Sequence, residues 1–243
     1  MTKSEATSVL LEKRANGVAV VTLNRPQVLN ALDIPAKERL GAIWQDISDD
    51  PRVRVAVLTG AGEKGFCAGS DIKEINRTGR MVTTETLLRA IPGVGVPLAK
   101  PVIAALTGYC IGMGMTLALH CDLRLAAKDA VLGYPEVKHG IVAAIVMANL
   151  VRNVGRKAAF ELVATGEPID AACALALGLI NRVAAPEHLL SDALALAEKF
   201  AGVERDAMAA TKALFYRVLD LPFEQALDAG RDVNKRMRGF GKR

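Results

Sequence analysis

Aromatic side chains are scarce in this sequence: one Trp, three Tyr and six Phe make up 4% of 243 residues, although hydrophobic residues as a class reach 51%. The interior is therefore filled by Ala, Val, Leu and Ile, which suits an α/β protein packed through small side chains. The same scarcity argues against nucleic-acid binding, because the net charge of +5 is spread along the chain without aromatic interleaving. A local basic patch for an anionic small ligand fits that charge better. Histidine is rarer still, with three in all and no spacing that supports a Ser-His-Asp triad. Cys67, Cys110, Cys121 and Cys173 form no Cys-x-x-Cys pair, and only the adjacent His120-Cys121 brings a thiol near an imidazole in sequence. Buried free thiols in a reducing compartment are the expectation, and no metal site is. MTKSEATSVLLEKR has no basic segment followed by an apolar one, so no signal peptide is read there and a cytoplasmic location is expected.

One long uncharged run is present. Residues 101–119, PVIAALTGYCIGMGMTLAL, reach the length of a membrane span. Pro101 opens the run, Gly108, Gly112 and Gly114 interrupt it, Val102-Ile103 reads as strand and no second span follows. A buried strand-turn-helix is therefore expected, with no membrane partner.

The length suits one core domain with an appended segment, divided at 1–190 and 191–243, and a chain of this size buries roughly 70–75% of its unfolded surface. Val18–Leu23 is a β-branched run stopped by Asn24-Arg25-Pro26, and Val53, Val55 and Val57 alternate into a second strand. Between them Leu40, Ile43, Trp44 and Ile47 recur at i, i+3, i+4 and i+7, an amphipathic helix ended by Asp49-Asp50-Pro51. The pattern returns as a strand at Pro101–Leu106, a turn at Gly108–Gly114, a helix beginning at Met115–His120 and a strand at Leu123–Ala126. From Arg156 onward helices are expected at Lys157–Val163, Ala171–Leu177, Leu189–Ala201, Asp206–Leu219 and Phe223–Met237. Asn76–Pro101 reads as a long loop, a place to look for a ligand-gating element.

Two glycine-rich turns stand out. Gly60–Ile72 is not a Walker loop, because Phe66-Cys67 follows where Lys and Ser or Thr are required, and Ser70 lacks the flanking glycines of a nucleophile elbow. Gly108–Gly114 is not a dinucleotide fingerprint, since Leu117 replaces the third glycine. Each turn follows a strand and could aim a backbone N–H into one cleft as an oxyanion donor. By spacing alone that signal is weak, because such turns usually just pack helix on strand. His120 and His139 read as structural or surface histidines, Asp122 as a cap or pairing group, and Met113, Met115 and Met147 as pocket or core filler.

Five collinear stretches carry a resemblance: LNRPQVLNALD (Leu23–Asp33), FCAGSDIKE (Phe66–Glu74), KPVIAALTGYCIGMGMTLALHCDLRLAA (Lys100–Ala127), GYPEVKHGI (Gly133–Ile141) and ATGEPIDAACALALGLINRV (Ala164–Val183). From about Val18 to Val183 the chain resembles the enoyl-CoA hydratase/isomerase, or crotonase, superfamily. The resemblance implies an α/β spiral of ββα units with a C-terminal helical segment. It also implies acyl-CoA thioesters as substrates, no separate cofactor, and a homotrimer or dimer of trimers. Carried over by position, the N–H groups of Ser70 and Met113 become the oxyanion hole. Val28, Ala31, Ala68, Asp71, Ile72, Tyr109, Thr116 and Pro135 fall on substrate-binding segments. Lys235, Arg236, Arg238, Lys242 and Arg243 suit the phosphates of CoA, or else form a solvated helix face.

Three departures qualify the reaction. Of the two glutamates that hydratases use, the second is Glu136 but the first falls at Thr116, which cannot act as a general base at neutral pH. The usual Pro-Gly turn after Gly140 is replaced by Val142-Ala143-Ala144-Ile145-Val146-Met147, and Met113 stands where a glycine is usual. A single carboxylate in an apolar cleft suits a proton moved between carbons, so a Δ3-to-Δ2 enoyl-CoA isomerase acting through Glu136 is expected. Hydration or dehydration is the alternative. Thioester hydrolysis, decarboxylation and an acyl-CoA-binding relative without turnover remain open.

Overall fold

The computed structural model describes residues 7–80 and 82–237. Strand β1 (Val9–Lys13) runs antiparallel to β2 (Val18–Leu23), which leads into a single 3-10 turn at Pro26–Val28. Leu29 and Asn30 then take left-handed backbone, φ 52° and 57°. Buried Asn30 stabilises that conformation: its amide donates to the Ala61 and Gly65 carbonyls at 3.0 and 2.7 Å, and its Oδ1 accepts from the Arg25 N–H at 2.9 Å.

Helix α1 (Ile34–Asp49) starts at Asp33, whose carboxylate accepts from the Ala36 N–H at 2.8 Å, with Pro35 in the first turn. Its apolar stripe of Leu40, Ile43, Trp44 and Ile47 is wholly buried. At the other end the Lys100 ammonium caps it by donating to the carbonyls of Ile47, Ser48 and Asp50.

The chain continues through β3 (Val55–Gly60), β4 (Gly65–Cys67), α2 (Ile72–Thr78), α3 (Thr84–Ala90), β5 (Val102–Leu106), β6 (Tyr109–Ile111), α4 (Met113–Leu119), β7 (Leu123–Ala127) and β8 (Val131–Gly133). It then forms α5 (Ala144–Asn153), α6 (Arg156–Thr165), β9 (Ile169–Asp170), α7 (Ala171–Ala176), β10 (Arg182–Ala184), α8 (Leu189–Ala201), α9 (Arg205–Val218) and α10 (Phe223–Met237). The strands form a six-stranded sheet, β1-β2-β3-β5-β7-β10, and a four-stranded sheet, β4-β6-β8-β9, and from β3 to β8 consecutive strands alternate between the two. Each turn of the chain thus gives one strand to each sheet and then a helix or short helical turn, which is the expected ββα spiral. Apart from β1 and β9, the pairings are parallel.

Both faces of the larger sheet are covered, which is why its strands are continuous apolar runs. Ala19, Val21, Ala56, Leu58 and Ala104 pack with α1, while Val18, Val20, Val55, Val57 and Ile103 pack with Leu189, Ala193, Leu196 and Ala197 of α8. The division expected after residue 190 falls inside α8. Helix α9 buries no residue and α10 only Ala229, leaving Phe215 and Phe223 exposed. Asp122 ties α9 to the core: it accepts from the Lys212 ammonium, the Tyr216 hydroxyl and the Val102 N–H at 2.8, 2.8 and 2.7 Å.

Several expectations need correction. Asn76–Pro101 is not one long loop, for it holds the end of α2 and all of α3, started by the Thr83 side chain accepting from the Thr86 N–H. Helix α3 packs against α1, and the indole N–H of Trp44 donates to the Ala90 carbonyl at 2.8 Å. The stretch read as a turn at Gly108–Gly114 contains β6, too short for a periodicity to show. Helix α5, ahead of Arg156, was not anticipated. The uncharged stretch 101–119 forms β5, β6 and α4, and among the described residues no helix is long and apolar enough to cross a membrane.

Candidate active site

In the smaller sheet β4, β6 and β8 are adjacent and parallel, so their C-terminal ends lie on one side. The segments that leave those ends are Ala68–Ile72, Gly112-Met113 and Tyr134–Glu136. The topology therefore brings together three motifs spread over 69 residues of sequence, in the place where α/β folds commonly bind ligands.

The first segment is pinned to Leu29–Leu32 by three backbone hydrogen bonds: Ala68 N–H to Leu29 O at 2.9 Å, Leu32 N–H to Gly69 O at 2.8 Å and Asp71 N–H to Leu32 O at 2.9 Å. This gathers Val28, Ala31, Ala68 and Asp71, all half-buried, along one rim, with Ile72 exposed beside them. Arg25 closes the rim, reaching Asp33 at 3.2 Å, Asp71 at 3.0 Å and the Ala31 carbonyl at 2.6 Å. Burial works to raise the Asp71 carboxyl, but the Glu74 N–H and the Arg25 guanidinium outweigh it and hold the group below its ordinary value. Asp71 is therefore an anchored anion. In the sequence Arg25 read only as part of a strand breaker, and the two aspartates at either side of it in space gave no linear signal.

The second segment begins with Gly112, φ 56° and ψ −119°, a conformation that L side chains rarely adopt. A Cβ there would stand 3.2 Å from Glu136 Oε1. Gly69, φ 99°, is equally constrained, because its Cβ would stand 3.2 Å from the Ile111 carbonyl and 3.6 Å from the Met113 nitrogen. The Ser70 and Met113 turns are thus in contact. Met113 is the first residue of α4, where an N–H has no intrahelical acceptor. Among the described residues neither the Ser70 nor the Met113 N–H donates to a protein acceptor.

Glu136 sits in a 3-10 turn, Pro135–His139, that follows β8. Pro135 and the Glu136 side chain are half-buried, but Glu136 Oε2 is shielded and has no hydrogen-bond partner. Burial raises this carboxyl above its ordinary value, opposed by its own N–H and by His139. Thr116 is buried, and its hydroxyl donates to the Gly112 carbonyl at 3.2 Å along its own helix. Beside it lies Tyr134, whose fully buried hydroxyl approaches the Thr116 side chain without reaching full hydrogen-bond geometry. That tyrosine had no signal in the sequence beyond its place next to Pro135. His120 pairs through Nδ1 with the Thr116 carbonyl at 2.9 Å, and burial lowers its pKa, so it is a structural imidazole. Tyr109 opens β6, at the opposite end of the strand from Gly112, and is not brought to the cleft. Lys235 and Arg236 lie in the last turn of α10, while Arg238, Lys242 and Arg243 lie outside the described residues.

Cys67, Cys110 and Cys121 are buried free thiols, with Cys67 and Cys121 pushed up to about 12 by burial, and Cys173 is an exposed free thiol. Among the described residues no cluster of three metal-ligating side chains exists.

Comparison with known proteins finds relatives along nearly the whole chain. The family model for enoyl-CoA hydratase/isomerase matches residues 13–239. The chain is 38% identical over 240 residues to (E)-benzylidenesuccinyl-CoA hydratase of Thauera aromatica, covering 93% of this chain and 92% of that protein. It is 38% identical over 229 residues to short-chain-enoyl-CoA hydratase of Clostridium acetobutylicum, covering 92% and 86%. The crystal structure of enoyl-CoA hydratase EchA1 from Mycobacterium marinum superposes with a TM-score of 0.87 at 33% identity, covering 96% and 91%. The chain belongs to the enoyl-CoA hydratase/isomerase family of acyl-CoA-processing enzymes.

Proposed function

From that membership and the site geometry, we propose that this enzyme moves a double bond within an enoyl-CoA thioester, from Δ3 to Δ2, with Glu136 as the only proton carrier. The observation that carries this reading is one carboxylate, with its Oε2 shielded and unpartnered, set against Gly112; the motif resemblance, which puts the first hydratase glutamate at Thr116, supports it. The thioester oxygen accepts from the Ser70 and Met113 N–H groups. Glu136 takes a proton from C2, the charge spreads onto the thioester oxygen as a dienolate, and the same carboxyl returns the proton to C4. The two donors act chiefly on the enolate charge, which the ground state lacks, so they lower the barrier rather than tighten binding. A carboxyl pKa raised by burial suits it to both halves of the transfer. Coenzyme A enters as part of the substrate, and no other cofactor is invoked. The exposed apolar residues of α9 and α10 support assembly as a homotrimer or dimer of trimers, with Lys235 and Arg236 facing CoA phosphates.

Hydration is the second reading, favoured by the names of the relatives at 38% identity. Incubation with 3-hexenoyl-CoA, crotonyl-CoA and a malonyl-type thioester, followed by chromatography and mass spectrometry, separates the readings. Isomerisation changes retention without changing mass, hydration adds one water and decarboxylation removes carbon dioxide. Turnover of 3-hexenoyl-CoA is expected to dominate and to fall about 1,000-fold in Glu136→Gln. Faster hydration of crotonyl-CoA, or full turnover by Glu136→Gln, overturns the isomerase reading.

A further inference from the structure

Lys37 is 2% exposed, in the second turn of α1, on a helix whose other buried residues are apolar or glycine. A lysine is almost never buried to that extent without a paired anion. Among the described residues no carboxylate lies within ion-pair distance of it: Asp33 and Asp71 are engaged by Arg25, and Glu74 accepts from the Ile34 N–H at 3.1 Å. The ammonium donates instead to one backbone oxygen, that of Leu32, at 2.9 Å.

That oxygen belongs to the residue that fixes the Ser70 turn. Leu32 and Ser70 form an isolated parallel bridge, in which the Leu32 N–H donates to Gly69 O at 2.8 Å and the Asp71 N–H donates to Leu32 O at 2.9 Å. The Gly69 carbonyl and the Ser70 N–H are the two ends of one trans peptide unit. With the carbonyl held by Leu32, planarity directs the Ser70 N–H the opposite way, toward the cleft. The Leu32 carbonyl accepts from both the Asp71 N–H and the Lys37 ammonium, so the charge on Nζ polarises the bridge from behind. Burial lowers the Lys37 ammonium against the opposing pull of Glu74, Asp33, Cys67 and Asp71, so keeping a lysine here has an energetic cost that packing alone does not explain.

We infer that Lys37 is a positioning residue for the oxyanion hole, holding Leu32 so that the Gly69–Ser70 peptide keeps its N–H aimed at the thioester oxygen. This rests on the reading of Ser70 as an oxyanion donor. It adds a distal cation that acts through the backbone and touches no substrate.

The test uses the full chain with 4-dimethylaminocinnamoyl-CoA, a thioester whose absorption moves to longer wavelength when its carbonyl is polarised, alongside kinetics on the substrate that the panel identifies. Lys37→Met is expected to fold, since an apolar side chain of similar length fills the site. It should lower kcat about tenfold with KM changed less than twofold, and shrink the wavelength shift of the bound probe. Lys37→Gln, with a neutral polar end, should show the same pattern and serves if the Met variant is insoluble. A wild-type complex without any wavelength shift overturns the oxyanion reading and this inference together. A wild-type shift that both folded variants retain in full, or a loss confined to KM and melting temperature, overturns the role of Lys37 alone.

Discussion

Around Ser70 the polar groups are paired: Arg25 lies between Asp33 and Asp71, Asp71 also accepts from the Glu74 N–H at 3.1 Å, and the Leu32 carbonyl takes two donors. Across the cleft, Glu136 Oε2 and the Tyr134 hydroxyl are buried without partners. A saturated network fixes geometry, and an unpaired buried group stores free energy that a substrate can release. One wall is therefore built to hold still, as the proposed oxyanion donors require. The other leaves the Glu136 carboxyl free of hydrogen bonds that would tie up its proton, as the proposed proton transfer requires.

Among changes that leave the Glu136 carboxyl in place, forcing the two walls apart should have the largest effect. Gly112→Ala places a methyl group 3.2 Å from Glu136 Oε1 on a backbone that alanine resists. Turnover should fall about 100-fold, by analogy with loss of one oxyanion donor, while steady-state kinetics and circular dichroism show a folded protein. Breaking the paired wall comes next. Arg25→Met leaves two half-buried aspartates without their cation and should cost about 2 kcal/mol, seen as a lower urea midpoint. An unchanged midpoint would mean that the ion-pair network contributes nothing net.

The unpaired wall should respond with the opposite sign. Tyr134→Phe removes a buried hydroxyl without a hydrogen bond of full geometry and should stabilise the fold by up to about 1 kcal/mol; a destabilised variant would show that the hydroxyl is paired, with Thr116 the nearest partner. Glu136 gives the smallest effect on stability and a clear pH signature. Its folded pKa lies above the ordinary 4.5, so the folded state binds its proton more tightly than the unfolded chain. Wild-type stability relative to Glu136→Gln is then lost as pH rises through the window from about 4.5 to the raised value. The variant should melt higher at neutral pH, the gap closing below about pH 4, in thermal scans across pH. The acid limb of the kcat profile should likewise lie above the usual carboxylate range.

Much of this was legible in the sequence wherever a period or a cap was long enough to read. The α1 stripe, the β2 and β3 runs and the helices at Leu189–Ala201 and Phe223–Met237 follow from local pattern. Strands β4, β6 and β8 have three residues each and carry no period, so the smaller sheet was invisible although it builds the cleft. The place of Tyr109 was hidden for the same reason: without β6, nothing showed that it lies at the other end of the strand from Gly112. Glu136, Ser70, Met113 and the Thr116 departure came from collinear motifs. Those motifs name positions and not orientations.

The sequence by itself determined the family, the α/β class and the inventory of chemistry: one candidate acid, two glycine turns and a threonine in place of a second glutamate. These are properties of residue identity and order, which short-range sterics and periodicity express directly. Only the tertiary structure decided which groups are paired and which are free. Arg25 meets Asp71 across 46 positions and Lys37 meets the back of the Ser70 turn through Leu32. Such partnerships depend on strand order and burial, and it is burial that sets Glu136 and Lys37 apart from an ordinary glutamate and lysine.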